Sequence, residues 1–277
     1  MRLKDRLCRS VLLALVAFGV PLGMSAAQDA KPEVINPQTL PSMGCMEMRI
    51  AKARYVVCQF DPEAADLRLF LQRDETQVYG SFDHLSAALE SKGERLRFAM
   101  NAGMYHRDRS PVGLYIEDGH RHKRANTNEG PGNFHLLPNG IFYINENGRA
   151  GVLETGAFLS KSLQPKYATQ SGPMLLIDGA IHPRFLPSST SRKIRNGVGI
   201  APGGAVVFVK SETPVTFYKF AQFFADEIGA KNALYLDGTI SRLYDTGLGR
   251  NDDGFPMGPI VGVVTKTTPD AQPPKKD

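Results

Sequence analysis

The chain has 277 residues, 42% hydrophobic and 22% charged, with 27 glycines, 19 prolines and a formal net charge of +5. This balance fits a globular protein and excludes collagen-like and low-complexity classes. The positive charge does not argue for nucleic acid, because much of it sits in the first segment and no Lys/Arg block with interleaved aromatics follows.

Arg2, Lys4, Arg6 and Arg9 form a basic n-region, Val11 to Val20 an apolar h-region, and Ser25-Ala26-Ala27 a small-residue cleavage site. Residues 1–27 are therefore expected to be a signal peptide and the protein to be exported, periplasmic or secreted. The leader holds four basic residues and one acidic, so its loss lowers the net charge from +5 to +2. Its apolar run is too short for an ordinary membrane span and no later segment supplies one, so no stable membrane insertion is expected after cleavage. Residues 28–41 read as a flexible lead-in, 42–266 as one domain and 267–277 as a disordered tail. No fixed-period repeat is present, which excludes solenoids and propellers.

Cys8 leaves with the leader, and Cys45 and Cys58 remain, flanking Met48 to Val56. In an oxidising compartment such a pair is expected to form a disulfide, tying the first strand to its neighbour. Phe82, Leu85 and Leu89 followed by Gly93 mark a helix. Arg97 to Tyr105 reads as a strand ending in Asn101. Hairpin signals then dominate: Asp118-Gly119, Asn139-Gly140, Asn147-Gly148, Asp178-Gly179 and Pro202-Gly203-Gly204 each interrupt apolar runs and supply positive φ. Phe217 to Ile228 is the clearest helix, with apolar residues at i, i+3, i+4, i+7, i+8 and i+11, Thr216 as N-cap and Gly229 as stop. Ala233 to Asp237 is a short apolar strand ending in a carboxylate. The expected fold is α+β: a single domain with a large twisted, mainly antiparallel sheet and a few packed helices.

Two strands thus end in a polar group followed by a glycine-bearing turn, at Asn101 and at Asp237, which is where sheets present reacting groups to solvent. Asn101-Ala-Gly-Met-Tyr105, Gln170-Ser-Gly-Pro173, Arg195-Asn-Gly-Val-Gly199 and Leu236-Asp-Gly-Thr-Ile-Ser241 together resemble, in order, the motifs of the phosphodiester glycosidase family. The resemblance covers roughly residues 45–265. It implies hydrolysis of a sugar-1-phosphodiester at the C1–O bond, with a glycan or sugar phosphate as substrate and no cofactor. It implies Asp237 and Arg195 as catalytic residues and Asn101, Gly103, Tyr105, Gln170, Ser171, Gly172, Gly238 and Ser241 as substrate-binding residues. Ala102, Thr239 and Ile240 stand where family members carry glycine.

The chemistry is self-consistent. Glycoside cleavage normally uses two carboxylates, but a phosphate leaving group, with a second pKa of about 6, needs little protonation. One carboxylate with a phosphate-binding arginine then suffices. Two other classes stay open on the residues: a non-catalytic glycan- or phosphate-binding module, and a phosphodiesterase that breaks P–O. No His/Asp/Cys spacing typical of a metal site is legible. His120-Arg-His122 lies near a turn, and Asp252-Asp253-Gly254 lacks the later ligands of a calcium loop and reads as a solvated turn.

Overall fold

The computed structural model describes residues 43–74 and 76–267. The expected leader, the expected lead-in and all of the expected tail after Thr267 lie outside the described residues. In chain order the first strands are β1 (Met43–Ile50), β2 (Ala53–Phe60), β3 (Asp66–Phe70), β4 (Glu94–Asn101), β5 (Tyr115–Glu117) and β6 (His120–Lys123). Next come β7 (Gly140–Asn145), β8 (Ala150–Glu154), β9 (Pro165–Ser171), β10 (Met174–Ile177), β11 (Ala180–Ile181) and β12 (Asn196–Ile200). The last are β13 (Val206–Ser211), β14 (Ala233–Asp237), β15 (Leu243–Asp245), β16 (Arg250–Asn251) and β17 (Ile260–Lys266). Three α-helices accompany them: α1 (Phe82–Glu90), α2 (Thr155–Ser160) and α3 (Phe217–Asp226).

The expected α+β class holds, but the strands form three sheets instead of one. A seven-stranded sheet runs β1-β2-β13-β12-β14-β10-β11, and two five-stranded sheets run β16-β15-β4-β17-β3 and β6-β5-β9-β7-β8. All pairings between these strands are antiparallel. The division follows from burial. Val56, Phe60, Phe98, Met100, Phe142, Tyr167, Phe208, Leu234 and Val261, drawn from all three sheets, meet in one central core. The opposite faces also need cover, and each sheet carries a helix there. Phe220, Phe223 and Phe224 of α3 pack on Val57, Val207, Val209 and Tyr235, Leu85 and Leu89 of α1 pack on Leu96 and Ile260, and Phe158 of α2 packs with Ile141 and Ala168. In β13, Val206 and Phe208 face the centre while Val207 and Val209 face α3, which is the period-two pattern of a strand buried on both sides.

Two local signals departed from expectation: the end of α3 and Asn139-Gly140. Asp118 and Gly119, at φ 49° and 76°, join β5 to β6, and Asp178 and Gly179, at 48° and 88°, join β10 to β11. Thr216 caps α3 by accepting the backbone N–H of Lys219 at 3.2 Å, and the helix stops at Asp226, two residues before Ile228. Asn139-Gly140 is not a hairpin turn. Asn139 is buried, accepts the Thr155 hydroxyl at 2.7 Å and donates to the Phe134 carbonyl at 3.2 Å. A polar network therefore claimed a residue whose local propensity pointed to a turn.

Cys45 and Cys58 lie directly opposite each other in the β1–β2 ladder and form a disulfide. β1 is an edge strand with β2 as its sole ladder partner among the described residues, so the bridge fastens an edge strand to its one neighbour. Cys45→Ala is expected to lower stability by about 2–4 kcal/mol, read from urea unfolding midpoints.

Candidate functional site

The polar strand ends gather where the sheets meet. β4 ends at Asn101 and β14 at Asp237, and β12 begins at Asn196, which pairs with Asp237 in register. A register shift between Asn196 and Gly197 adds Leu236 as an extra residue in β14. Asn101 and Asn196 are fully buried and bond amide to amide across two sheets, with Asn101 Nδ2 donating to Asn196 Oδ1 at 3.3 Å and Asn196 Nδ2 donating back. The same oxygens anchor the turn that follows β14. Asn196 Oδ1 accepts the backbone N–H of Asp237 at 2.8 Å, and Asn101 Oδ1 accepts that of Arg242 at 3.1 Å.

This geometry corrects the expected contacts of several residues. The amide of Asn101 is spent inside the protein. Gln170 is 2% exposed; its oxygen accepts the backbone N–H groups of Leu114 (2.9 Å) and Asn126 (2.8 Å), and its nitrogen donates to the Asn126 carbonyl at 2.8 Å. Ser171 donates to the Leu236 carbonyl at 2.9 Å, which ties β9 to β14. These three side chains hold the frame and do not reach into open space. Gly103 and Gly172 serve close packing: a Cβ would lie 3.1 Å from Thr169 Oγ1 at the first and 2.7 Å from the Phe134 carbonyl oxygen at the second.

Asp237 sits at the head of the turn. Its Oδ1 accepts the Gly238 backbone N–H at 2.6 Å, and the Ser241 hydroxyl closes the turn on the Gly238 carbonyl at 3.1 Å. Burial pushes the Asp237 carboxyl up to about 6, against the lowering pull of the N–H groups of Gly238, Ile240 and Thr239. A Cβ on Gly238 would fall 2.2 Å from the Tyr235 hydroxyl, so only glycine leaves that tyrosine its place.

Beside the turn opens a cleft of about 670 Å³, walled by Lys193, Arg195, Tyr235, Gly238, Thr239 and Ser241 with Lys210, Glu212, Phe217 and Asn133 around them. Arg195 is almost fully buried. Its guanidinium lies 3.6 Å over the Phe217 ring, and Nε donates to the Val215 carbonyl at 2.9 Å. No carboxylate pairs with it among the described residues, and burial lowers its pKa while the Tyr235 hydroxyl raises it. Burial raises the Tyr235 hydroxyl, against the lowering charge of Arg195, and the Asp237 charge raises it further. By contrast Lys210 and Arg250 are matched by Glu212 and Asp252, with Lys210–Glu212 and Arg250–Glu212 both at 2.8 Å. Asp252 therefore belongs to this ion network and is not part of a merely solvated turn.

Tyr105 is not on the cleft wall. It is half-buried, donates to the Pro256 carbonyl at 3.1 Å and has the Arg109 guanidinium 5.5 Å over its ring. Burial raises its pKa, and the Asp237 charge raises it further. Sequence reasoning named Lys193 only as an alternative cation to Arg195, and it missed Asn196, Tyr235 and Arg242. All three lie within or beside quoted motifs, but only contacts across strands show what they face. Among the described residues no group of three His, Cys, Asp or Glu side chains could hold a metal ion, and no helix is long and apolar enough to cross a membrane.

The site and fold define an antiparallel α+β protein with a strand-end carboxylate beside a cation-lined cleft. Residues 94–263 match the phosphodiester glycosidase family, and the chain belongs to that family. It is 37% identical over 207 residues, 74% of this chain and 80% of the relative, to the uncharacterized protein YigE of Escherichia coli (strain K12). Its fold is similar to that of the zebrafish N-acetylglucosamine-1-phosphodiester alpha-N-acetylglucosaminidase catalytic domain (TM-score 0.57, 12% identity, 84% of this chain and 87% of that one). It is also similar to that of a Burkholderia pseudomallei K96243 protein (TM-score 0.52, 12% identity, 76% and 74%). At these identities the two structures speak for the fold alone.

Two stability measurements follow from the geometry. Asn196→Ala strips partners from Asn101 and from the Asp237 backbone N–H and is expected to destabilise by about 1–3 kcal/mol per group left unpaired. The second concerns pH. The Asp237 carboxyl titrates at 3.8 when unperturbed and at about 6 in the folded chain, so folding takes up a proton between those values. Below 3.8 both states are protonated and the group is neutral toward stability; above 6 the folded state carries a charge it disfavours. The melting temperature of Asp237→Asn should therefore gain on that of the parent as pH rises through this window. A pH-independent difference would contradict the buried-carboxyl assignment.

Proposed function

We propose that this protein is an exported glycosidase that hydrolyses a sugar-1-phosphodiester at the C1–O bond, acting on envelope or extracellular glycans. The observation that carries the reading is the juxtaposition of a half-buried strand-end carboxylate, Asp237, with a cleft whose cations Arg195 and Lys193 lack carboxylate partners among the described residues. Family membership supports the same reaction class.

In this reading the phosphate lies in the cleft. Arg195 keeps N–H donors beyond those it gives to Val215 and Ser191, and its planar fork suits phosphate oxygens. Lys193 adds an exposed charge at the rim. As the C1–O bond breaks, its electron pair goes to the phosphate oxygen and positive charge develops on the anomeric carbon. Asp237 stabilises that charge, and water supplies the new C1–O bond, its proton passing to solvent. Because the carboxylate must be ionised, kcat/KM is expected to rise with pH through the region near 6 where Asp237 titrates. Asn101, Asn196, Gln170 and Ser171 act here only by fixing the frame.

Asp237→Asn keeps the shape and removes the charge, so activity should fall by several orders of magnitude with affinity largely kept. Arg195→Ala should weaken binding as well as turnover, by about 2–5 kcal/mol for a desolvated contact. Hydrolysis of a panel of sugar-1-phosphate diesters in heavy-oxygen water distinguishes the classes. Label in the sugar is the expected result, label in the phosphate would establish P–O cleavage, and binding without turnover would establish a binding module. A folded, fully active Asp237→Asn enzyme would overturn the mechanism.

A further inference from the structure

One nearly buried cation is left without a role. Arg242 is 6% exposed, yet its guanidinium makes no hydrogen bond and no ion pair within 4.0 Å among the described residues. The comparable buried cations are spent on partners, Arg195 on backbone carbonyls and Lys210 on Glu212. Among the described residues no side-chain nitrogen is both sealed from solvent and unpartnered, so the tip of Arg242 keeps contact with the surface. Asp253 and Asp252 are the carboxylates whose charge it feels. Asp253 Oδ1 is held by the Gly254 backbone N–H at 2.6 Å, and Asp252 accepts from Leu243 N at 3.1 Å and from Arg250 Nε at 2.7 Å. Neither reaches Arg242.

The surroundings are built to seat this side chain. Its backbone N–H is fixed on Asn101, at the end of the turn that begins with Asp237. The 252–258 loop folds over it and over Tyr105 by way of two glycines. A Cβ on Gly254, at φ +139°, would lie 2.6 Å from Arg242 Nη2, and one on Gly258 would lie 2.6 Å from Tyr105 Cγ. Tyr105 ties the loop down through the Pro256 carbonyl. Between these anchors Phe255 stands 77% exposed, the most exposed of the large hydrophobic side chains among the described residues. Tyr105 feels the charges of Asp237, Arg109 and Arg242 together, so this group lies within electrostatic reach of Asp237 while staying off the wall that carries Arg195.

A guanidinium held among protein atoms with only its tip at the surface is poorly hydrated, and an oxyanion presented in its plane relieves that cost with two parallel hydrogen bonds. An exposed aromatic ring beside it offers a face for the apolar side of a sugar ring. We propose that Arg242 and Phe255, backed by Tyr105, form a subsite for a sugar ring bearing an oxyanion, either a carboxylate as in a uronic acid or a phosphate on a hexose hydroxyl. The substrate is then an acidic glycan, charged on the sugar as well as at the scissile phosphodiester. The proposal rests on the glycosidase reading for the second phosphate and on the geometry alone for the subsite.

Binding of three probes to the mature protein by titration calorimetry or ligand-observed NMR tests this without requiring turnover: methyl glucuronide, methyl glucoside 6-phosphate and neutral methyl glucoside. At least one acidic probe is expected to bind about tenfold or more tighter than the neutral one, and whichever wins identifies the oxyanion. Arg242→Gln should abolish the difference, Arg242→Lys should restore part of it, and Phe255→Ala should weaken all three probes alike. Equal affinity for acidic and neutral probes, no binding of either acidic probe, or an unchanged preference in a folded Arg242→Gln protein each overturns the proposal. If Arg242→Gln fails to fold, the preference of the parent and its change in Arg242→Lys decide. Acid preference without hydrolysis of any phosphodiester would sink the glycosidase reading alone, and hydrolysis without acid preference would sink this one alone.

Discussion

The amide pair of Asn101 and Asn196 is the contact on which the rest of the site depends. Two neutral side chains, buried at the seam between two sheets, satisfy each other, and each oxygen also accepts a backbone N–H of the Asp237–Arg242 turn. Buried amides are tolerated only when their hydrogen bonds are complete, and a complete network fixes one geometry. The turn is thus pinned at both ends by residues from two different sheets, so the backbone that carries the Asp237 carboxylate cannot shift without breaking the bond to Asn196. Gln170 plays the same part on the third sheet, joining the 112–126 segment to β9 through Leu114 and Asn126.

Charge is distributed unevenly around that frame. Lys210, Arg250, Glu212 and Asp252 form a partly buried network of both signs. Burial alone would raise the Glu212 carboxyl, yet hydrogen bonds from Arg250 and Lys210 hold it below the usual carboxylate range. A few residues away Arg195, Arg242 and Asp237 are just as removed from water and have no counter-charge within ion-pair distance among the described residues. A fold that pairs its buried charges in one place and leaves three unpaired in another is not economising on stability there. Such groups concentrate at functional sites because a ligand completes them.

The three side chains that the motif resemblance sets against glycines, Ala102, Thr239 and Ile240, have separate consequences. Ala102 packs into the central core, and Ile240 packs against the cluster beneath α1. Only Thr239 adds a side chain to the cleft wall. Two of these side chains therefore add to packing, and one adds to the surface of the cleft.

The pattern of residues along the chain determined the antiparallel character, the hairpins at Asp118-Gly119 and Asp178-Gly179, helix α3 with its Thr216 cap, and the Cys45–Cys58 bridge. Each of these rests on neighbours in sequence or on a single ladder, so local periodicity and turn chemistry suffice. The motif order also placed Arg195, Gly238 and Ser241 together, because they lie at strand ends that an antiparallel sheet brings to one edge. It did not separate residues that face a ligand from residues that hold the frame. Asn101, Gln170 and Ser171 are polar residues next to glycines, as a binding residue would be, but the hydroxyl, carbonyl and amide groups that consume them lie 15 to 141 positions away in the chain. The division of the strands into three sheets, the turn to which Asn139 did not belong and the unpaired state of Arg242 were likewise decided only in three dimensions, where burial on both faces of a sheet and the completion of hydrogen bonds outrank local preference.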